Sequence, residues 1–389
     1  MAASRGSRIL TVRIAIVGGG PAGLYFALLM KARDPAHAVT IVERDGPNDT
    51  FGWGIVFSDQ TFEYLRDNDA PSYEAITSAC QRWENVDIVH RGQTVTVRGN
   101  RFSGVARLQF LQILHQRCRD VGVNLLFHQA VADPGMLPPA DLLVGADGAN
   151  STVRRAYADV FRPSVESGRN RYIWLGTRQL FHGLTLTFVE HQAGVFTAHS
   201  YKFDERTSTF IVECSEHTWR AAGLDRMTEQ ETCRFLEGVF AQSLGGQPLL
   251  TNNFVRWLNF PLVRNAHWHG DRMVLLGDAL HTAHFSIGSG TKLALEDAIA
   301  LAGAFADAPD PRDALPLFEE RRRPRVEQYQ QTAYESLRWF EEVERCMHLD
   351  PLRLAVEAMT RSKKIDVEKL RQRDPKFVEM AESAGALGE

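Results

Sequence analysis

Residues 12–23 read VRIAIVGGGPAG, a β-branched apolar run that closes on Gly18-Gly19-Gly20-Pro21-Ala22-Gly23. An apolar, helix-like stretch follows, Leu24 to Lys31. The pattern is G-x-G-x-x-G where a strand passes into a helix, and each glycine has its own task. Gly18 permits the tight turn, Gly20 lets the backbone approach a pyrophosphate, and Gly23 lets helix and strand pack closely. The start of the helix offers free N–H groups and a partial positive charge to phosphate, with Pro21 and Ala22 inside the same turn. A second apolar strand, Ala38 to Val42, ends at Glu43. That acid follows the last glycine by about 20 residues, the spacing at which a carboxylate accepts the hydrogen bonds of a ribose. A glycine-rich turn alone occurs in many α/β proteins. Strand, helix and terminal acid together predict dinucleotide binding.

The rest of the composition narrows the class. At 389 residues the chain exceeds a typical single domain, so two packed domains or one elaborated domain are expected. A hydrophobic share of 44% and a charged share of 24% are ordinary for a globular protein. A net charge of −4 gives no reason to expect nucleic acid or a membrane surface as a partner. Cys80, Cys118, Cys214, Cys233 and Cys346 are scattered with no C-x-x-C, which suggests neither a zinc site nor a disulfide framework. The apolar run near the N-terminus is the strand feeding the glycine turn and is not read as a signal peptide. No run approaches membrane-spanning length. The expected compartment is a reducing cytoplasm.

Two later stretches repeat the logic of the first. Residues 141–155 read DLLVGADGANSTVRR: a buried strand meets Asp147-Gly148, Ser151 is placed to cap the next helix, and Arg154 lies inside it. Residues 272–298 read RMVLLGDALHTAHFSIGSGTKLALEDA. The strand Met273 to Leu276 ends at Gly277-Asp278, and the loop Ile287-Gly288-Ser289-Gly290 opens an apolar helix. An acid at a strand end beside a helix start forms a second dinucleotide-contacting pair. His281 and His284 raise a metal reading, but no acidic or cysteine partner sits beside them at metal spacing, so no metal is expected.

Between these signals the chain is mixed. Phe51-Gly52-Trp53-Gly54 reads either as backbone close to a planar ligand or as a bulged strand with a packed Trp. Asp59 to Asn68 predicts a helix and Val86 to Val97 a hairpin. Arg107 opens an apolar helix, as a solvated cap or as a phosphate partner. Arg171 to Cys214 is strand-rich, and His199 and Tyr201 share one face of a strand, either lining a pocket or forming an ordinary polar face. Ala221 to Ser243 predicts one helix, and Phe254 to Leu262 a strand. Beyond Pro309 the chain is helical and charged, interrupted at Pro324, with Arg321-Arg322-Arg323 as a solvated face. Lys363 to Glu389 is polar and expected to be loosely held.

The three motifs together resemble the single-component FAD-dependent aromatic hydroxylases, the para-hydroxybenzoate hydroxylase-like family. GGGPAG matches the ADP-binding turn. Asp147-Gly148 with Ser151 and Arg154 matches the second fingerprint, linked to FAD and the nicotinamide cofactor. Gly277-Asp278-Ala279-Leu280-His281 matches the third, whose Asp holds the ribityl chain. Arg107 occupies the place of a residue that contacts FAD. The stretches FGWGIVFSD, RYIWLGTRQLF, TSTFIVECSE, HTAHFSIGSGTKLALEDAIAL and SLRWFEEVER look like the branch that hydroxylates aryl-CoA thioesters such as salicyloyl-CoA and anthraniloyl-CoA. The central part is also similar to a hydroxylase of a tryptophan-derived substrate. Two departures stand out: His284-Phe285 replaces the usual Pro-Pro, and Phe51-Gly52-Trp53 replaces a commonly placed Arg.

The resemblance implies an α/β fold: a Rossmann-like, glutathione reductase-type FAD domain (residues 1–75, 100–160 and 265–310), a β-sheet substrate domain (76–99 and 161–264) and C-terminal helices (311–389). It implies an oxidoreductase using FAD, NAD(P)H and O2, acting through a flavin hydroperoxide on an electron-rich ring. Gly18, Gly20, Pro21, Ala22, Gly23, Glu43, Arg44, Trp53, Arg107, Asp147, Gly148, Arg154, Asp278, Ile287, Gly288 and Gly290 are its candidate cofactor residues. His284, Phe285, His199 and Tyr201 are its catalytic candidates. Partners are a small aromatic substrate, CoA-linked in the first reading, and a second copy of the chain as a homodimer. Arg169, Arg171 and Arg178 are the candidates for CoA phosphates. The rivals are a hydroxylase of a free or tryptophan-derived aromatic, and a non-catalytic protein that keeps the FAD fold.

Overall fold

The computed structural model describes residues 11–252 and 255–387. A parallel sheet carries the three motifs. Its strands lie in the order Met273–Leu275, Leu142–Gly145, Arg13–Val17, Ala38–Val42, Asn124–Leu126. Parallel neighbours need a crossover, and the helix Pro21–Arg33 supplies it between Arg13–Val17 and Ala38–Val42. That helix is buried around its whole circumference, with Leu24, Tyr25, Phe26, Ala27 and Leu28 all inaccessible, so it shows almost no polar stripe. It packs between the helices Arg107–Asp120 and Gly290–Asp307.

The register decides where the motifs meet. Val17 pairs with Val42 on one side and Gly145 on the other, and Gly145 pairs with Leu275. The carboxyl ends of these strands therefore align, and Gly18, Glu43, Ala146-Asp147 and Gly277-Asp278 leave the sheet along one edge. Ligands of open parallel sheets bind at that edge.

A larger, mainly antiparallel sheet runs Leu249–Leu250, Pro163–Thr177, Ser208–Cys214, Gly194–Lys202, Leu184–His191, Val86–His90, Gln93–Val97, with Leu258–Asn265 also paired to Pro163–Thr177. Side chains alternate across it. Ile173, Leu175, Phe196, Ala198, Phe210 and Val212 form one core with Leu236, Phe240 and Leu244. The other face carries Tyr172, Trp174, His199, Tyr201, Ile211 and Glu213. A third, antiparallel sheet joins Gly54–Ser58, Phe102–Ala106 and Gln81–Trp83.

Five local expectations are corrected. The helix expected over residues 221–243 is three pieces, Glu216–Ala221, Glu229–Val239 and Ala241–Leu244, because Thr228 and Glu231 form a capping box that starts a new helix. The strand expected from Phe254 is Leu258–Asn265, and Phe254 itself lies outside the described residues. Pro324 does not break the chain: one helix runs Pro311–Glu341 through Pro316 and Pro324. An internal proline costs about 3 kcal/mol, yet Phe318, Val326, Ala333, Leu337 and Phe340 stay in helical register and are all buried, which offsets it. Arg322, read as solvated, is only 5% exposed and bonds Asp297.

The fifth concerns the C-terminus. Instead of a loose tail, the helices Val367–Arg373 and Pro375–Ser383 pack Leu370, Phe377, Val378 and Ala381 against Val86, Ile88, Val97, Leu186 and Phe188 of the large sheet. Asp374 closes the contact, accepting from the backbone N–H of Arg98 at 2.7 Å and of Phe377 at 3.1 Å. The many charges of this segment lie on the outer face and mask the apolar one.

Candidate active site

At the first turn Gly18 has φ +106°, and a Cβ there would lie 2.3 Å from the Ala146 oxygen. A Cβ at Gly23 would lie 2.3 Å from the Gly18 oxygen. Both positions are closed by backbone and admit only glycine. Gly20 differs: a Cβ there meets nothing within 4 Å, so the residue borders open space. Pro21 and Ala22 begin the helix behind it. Gly148, Gly288 and Gly290 also border open space by the same criterion. Glu43 turns back onto the turn, its Oε2 accepting from the Gly19 N–H at 2.6 Å. Arg44 points outward and pairs with Asp45 at 3.1 Å.

The second and third motifs are tied together. Asp147 Oδ2 accepts from the Thr152 and Val153 N–H groups at 2.6 and 3.3 Å, while its Oδ1 is buried with no partner. Ser151 caps the helix, accepting from the Arg154 N–H at 2.9 Å. Arg154 is buried and donates to the Ala279 oxygen at 2.9 Å and to the Ala149 oxygen. Asp278 stands beside that anchor. Its side chain is accessible yet ringed by protein, and burial raises its carboxyl, with Arg107 and His281 pulling the other way. Arg107 is half-buried, and its Nε has no partner. Burial lowers its guanidinium, opposed by Asp278 and Tyr201. The unpartnered Arg107 Nε and Asp147 Oδ1 each carry a desolvation penalty unless a polar group meets them. A dinucleotide with a pyrophosphate and hydroxyls fits that description.

Asp297, to which the sequence reading gave no role, holds this frame together with Arg322. Asp297 is fully buried, accepts from the Gly277 N–H at 3.1 Å and from Arg322 Nε at 2.8 Å, and lies 2.8 Å from His281 Nε2. Burial would raise its carboxyl, but His281 and Arg322 hold it below the usual range. His281 therefore faces Asp297, whereas His284 turns to Ser286, its Nδ1 lying 2.8 Å from the Ser286 hydroxyl. Among the described residues no group of three His, Cys, Asp or Glu could hold a metal.

The Trp53 stretch is packed against protein rings. A Cβ at Gly52 would meet the Trp174 ring at 2.9 Å, one at Gly54 the Phe203 side chain at 2.6 Å, and one at Gly176 the Trp53 ring at 2.8 Å. These glycines make room for the aromatic side chains they face, and the Trp53 oxygen accepts from the Arg107 N–H at 2.8 Å.

Phe285 packs on the polar face of the large sheet. Its ring centroid is 5.0 Å from Tyr172 and 5.2 Å from His199, and Phe260 and Phe340 complete an aromatic enclosure. Ile287 packs with Ala283, Leu293, Ala333 and Tyr329 beneath the loop. His284 is 3% exposed, and burial lowers its ring to about 4, so it is neutral at neutral pH. His199 and Tyr201 share a face as expected but have different partners. Tyr201 donates to the Gly54 oxygen at 2.8 Å, and burial pushes its hydroxyl up. His199 Nε2 lies 3.1 Å from Glu213 Oε2. Glu213 and Arg361 were not singled out from sequence. Glu213 sits inside the otherwise apolar run FIVEC, a visible signal, whereas Arg361 reaches in from the turn after the helix Pro351–Thr360.

Residues 139–333 match a family of FAD binding domains. The chain is 41% identical to a salicyloyl-CoA 5-hydroxylase of Streptomyces sp over 95% of its own length and 73% of that protein's. The chain belongs to the FAD-dependent aromatic hydroxylases. This hydroxylase is also 37% identical to protodeoxyviolaceinate monooxygenase of Chromobacterium violaceum, over 87% of its own length and 91% of that protein's. Among solved structures, the tetrameric form of 2-methyl-3-hydroxypyridine-5-carboxylic acid oxygenase shares the fold, with a TM-score of 0.70 at 18% identity, covering 93% of the hydroxylase and 98% of that chain. The hydroxylase is a flavin monooxygenase that uses FAD with NAD(P)H. Among its described residues no helix is long and apolar enough to cross a membrane.

The arginines expected to meet CoA phosphates are partly engaged. Arg169 pairs with Glu341 at 2.8 Å, and Arg171 with Glu216 at 3.6 Å while stacking on Trp219. Arg178 is exposed.

Proposed function

We propose that the hydroxylase inserts one oxygen atom of O2 into an electron-rich ring carried as an aryl thioester of the salicyloyl-CoA type. The observation that carries the substrate class is the 41% identity to a salicyloyl-CoA 5-hydroxylase across 95% of the chain. Bound FAD supplies electron transfer from NAD(P)H and activation of O2. The chain supplies binding, orientation and dryness. Gly20 and the helix start behind it are assigned to the pyrophosphate, Glu43 to the ribose, and Arg107 with Asp278 to the polar chain between nucleotide and ring system. Gly288 and Gly290 are assigned to the flavin side of the loop, where backbone N–H groups meet developing negative charge. Phe285, Tyr172, Phe260 and Phe340 enclose the aromatic substrate and exclude water. In this reading residues 1–75, 100–160 and 265–310 hold FAD, and residues 76–99 and 161–264 cover the substrate.

The net reaction consumes one NAD(P)H, one O2 and one proton, and yields the hydroxylated ring, NAD(P)+ and water. All five cysteines are free, which supports a reducing compartment such as the cytoplasm. The second reading, a tryptophan-derived substrate, is favoured by the 37% identity to protodeoxyviolaceinate monooxygenase. The test is NAD(P)H consumption with product mass for salicyloyl-CoA, anthraniloyl-CoA, free salicylate and tryptophan. Consumption stimulated by a thioester alone, with a mass gain of one oxygen, supports the first reading. The same result with free salicylate or tryptophan alone refutes it.

A further inference from the structure

Glu213 is a buried carboxylate, 2% exposed, inside the otherwise apolar run FIVEC, and its neighbour His199 packs on the rings of Phe285 and Phe340. Its Oε2 lies 3.1 Å from His199 Nε2, and its Oε1 accepts from Asn170 Nδ2 at 2.9 Å. Asn170 is itself held by the Phe340 oxygen at 3.2 Å. Burial raises the Glu213 carboxyl, but the hydrogen bonds from His199 and Asn170 outweigh it and hold the group below the usual carboxylate range. An anion in that place fixes the tautomer of its neighbour: Nε2 carries the proton and donates, and Nδ1 keeps its lone pair. Among the described residues Nδ1 of His199 has no hydrogen-bond partner. The ring stands edge-on to Phe285 at 5.2 Å and against Phe340 at 4.7 Å, inside the enclosure.

We infer that His199 Nδ1 takes the proton of the substrate's ring hydroxyl during oxygen insertion, with Glu213 as the positioning residue that sets its tautomer and balances the imidazolium. The O–H bond breaks, the proton passes to Nδ1, and the electron pair stays on the ring oxygen and enriches the carbon being attacked. After insertion the displaced ring C–H proton leaves to water, and Nδ1 returns its proton to the ring oxygen. His284 is unsuited to this role, because its ring is desolvated and its Nδ1 is engaged with Ser286. Tyr201 is unsuited, because its hydroxyl is bonded to Gly54. The other groups facing the dyad are Tyr172 from the neighbouring strand and Arg361, which bonds Ser336 at 3.0 Å and the Ser286 oxygen at 2.7 Å. Arg361 is held down to about 10 by burial, so it stays cationic across the working range.

The inference rests on the aromatic-hydroxylase reading, so its first test needs no substrate. In FAD-loaded protein with 15N-labelled histidine, the His199 signals, assigned by their absence in His199→Gln, should report a protonated Nε2 and a bare Nδ1 at pH 7. Glu213→Gln, whose amide donates to Nε2, should move the proton to Nδ1. A proton on Nδ1 in the unmutated protein overturns the inference, as does a Glu213→Gln spectrum without change. The second test is single-turnover hydroxylation of salicyloyl-CoA. Glu213→Gln should slow it about 100-fold or more and remove the acid limb of the pH profile, with FAD affinity changed less than about threefold and Glu213→Asp partly restoring the rate. A Glu213→Gln enzyme with the unmutated rate and pH profile overturns the inference. Failure of the unmutated enzyme to hydroxylate any thioester refutes the substrate reading instead, and leaves the tautomer result to decide this one.

Discussion

Replacing Gly20 by alanine separates folding from cofactor binding. The backbone there has φ −78° and ψ 178°, which alanine adopts freely, and the added Cβ meets nothing within 4 Å. The apoprotein should therefore lose nothing. Restricting the unfolded chain should stabilise it by about 0.4–1 kcal/mol, a rise in melting temperature of at most about 2 °C. The same methyl occupies the space assigned to pyrophosphate and pushes it off the helix N–H groups. A hydrogen bond to a charged group contributes about 1.5–3 kcal/mol, so losing one should weaken FAD about 10- to 100-fold. Gly23→Ala is the contrasting case: its Cβ would lie 2.3 Å from the Gly18 oxygen, so the apoprotein itself should melt lower. The assay is thermal melting of flavin-stripped protein, followed by FAD titration read by flavin fluorescence. Unchanged FAD affinity in Gly20→Ala, or a melting temperature that falls as far as that of Gly23→Ala, refutes the reasoning.

Three other outcomes follow from the same structure. Arg107→Met removes a half-buried cation whose Nε has no partner, so the apoprotein should gain stability while FAD binds at least about 10-fold more weakly; parallel losses in both would count against it. Phe377→Ala should destabilise the whole protein by about 3–5 kcal/mol in urea denaturation, where a loose tail would give no change. Burial lowers His115 and His284 to about 4, below the value of about 6.5 in an unfolded chain. The unfolded state therefore binds more protons between these limits, so stability is full above about 6.5 and falls as pH drops towards 4, by up to ~3 kcal/mol per residue. His115→Leu should show a smaller drop in urea midpoint between pH 7 and pH 4.5 than the unmutated protein, and an equal drop would refute the assignment.

What was legible in the sequence was set by backbone geometry. Gly18 and Gly23 leave no room for a Cβ, so the turn can be written in few ways and its spacing is recognisable anywhere. The parallel sheet follows, because strand, turn and acid recur at Val17-Gly18, Ala146-Asp147 and Leu276-Gly277-Asp278, and aligned strand ends bring them to one edge. The helix through Pro324 and the packed C-terminus were hidden for a different reason. Local propensity weighs each residue alone, whereas burial of Val326, Leu337, Leu370 and Phe377 against distant strands decides the outcome.

The chemistry beside the ring was least legible, because it depends on register. His199 reaches Glu213 only because Gly194–Lys202 pairs with Ser208–Cys214 so that His199 faces Ile211 and Glu213 lies one step along the same face. A slip of one residue would send the carboxylate into the apolar core of Phe210 and Val212, where an ionised group has no partner. The polar residue in FIVEC thus constrains the register as well as the histidine. A carboxylate buried at that cost, on the face that meets Phe285 and away from the helices behind the sheet, sets the proposed proton chemistry beside Phe285, apart from the Arg107–Asp278 pair assigned to the cofactor.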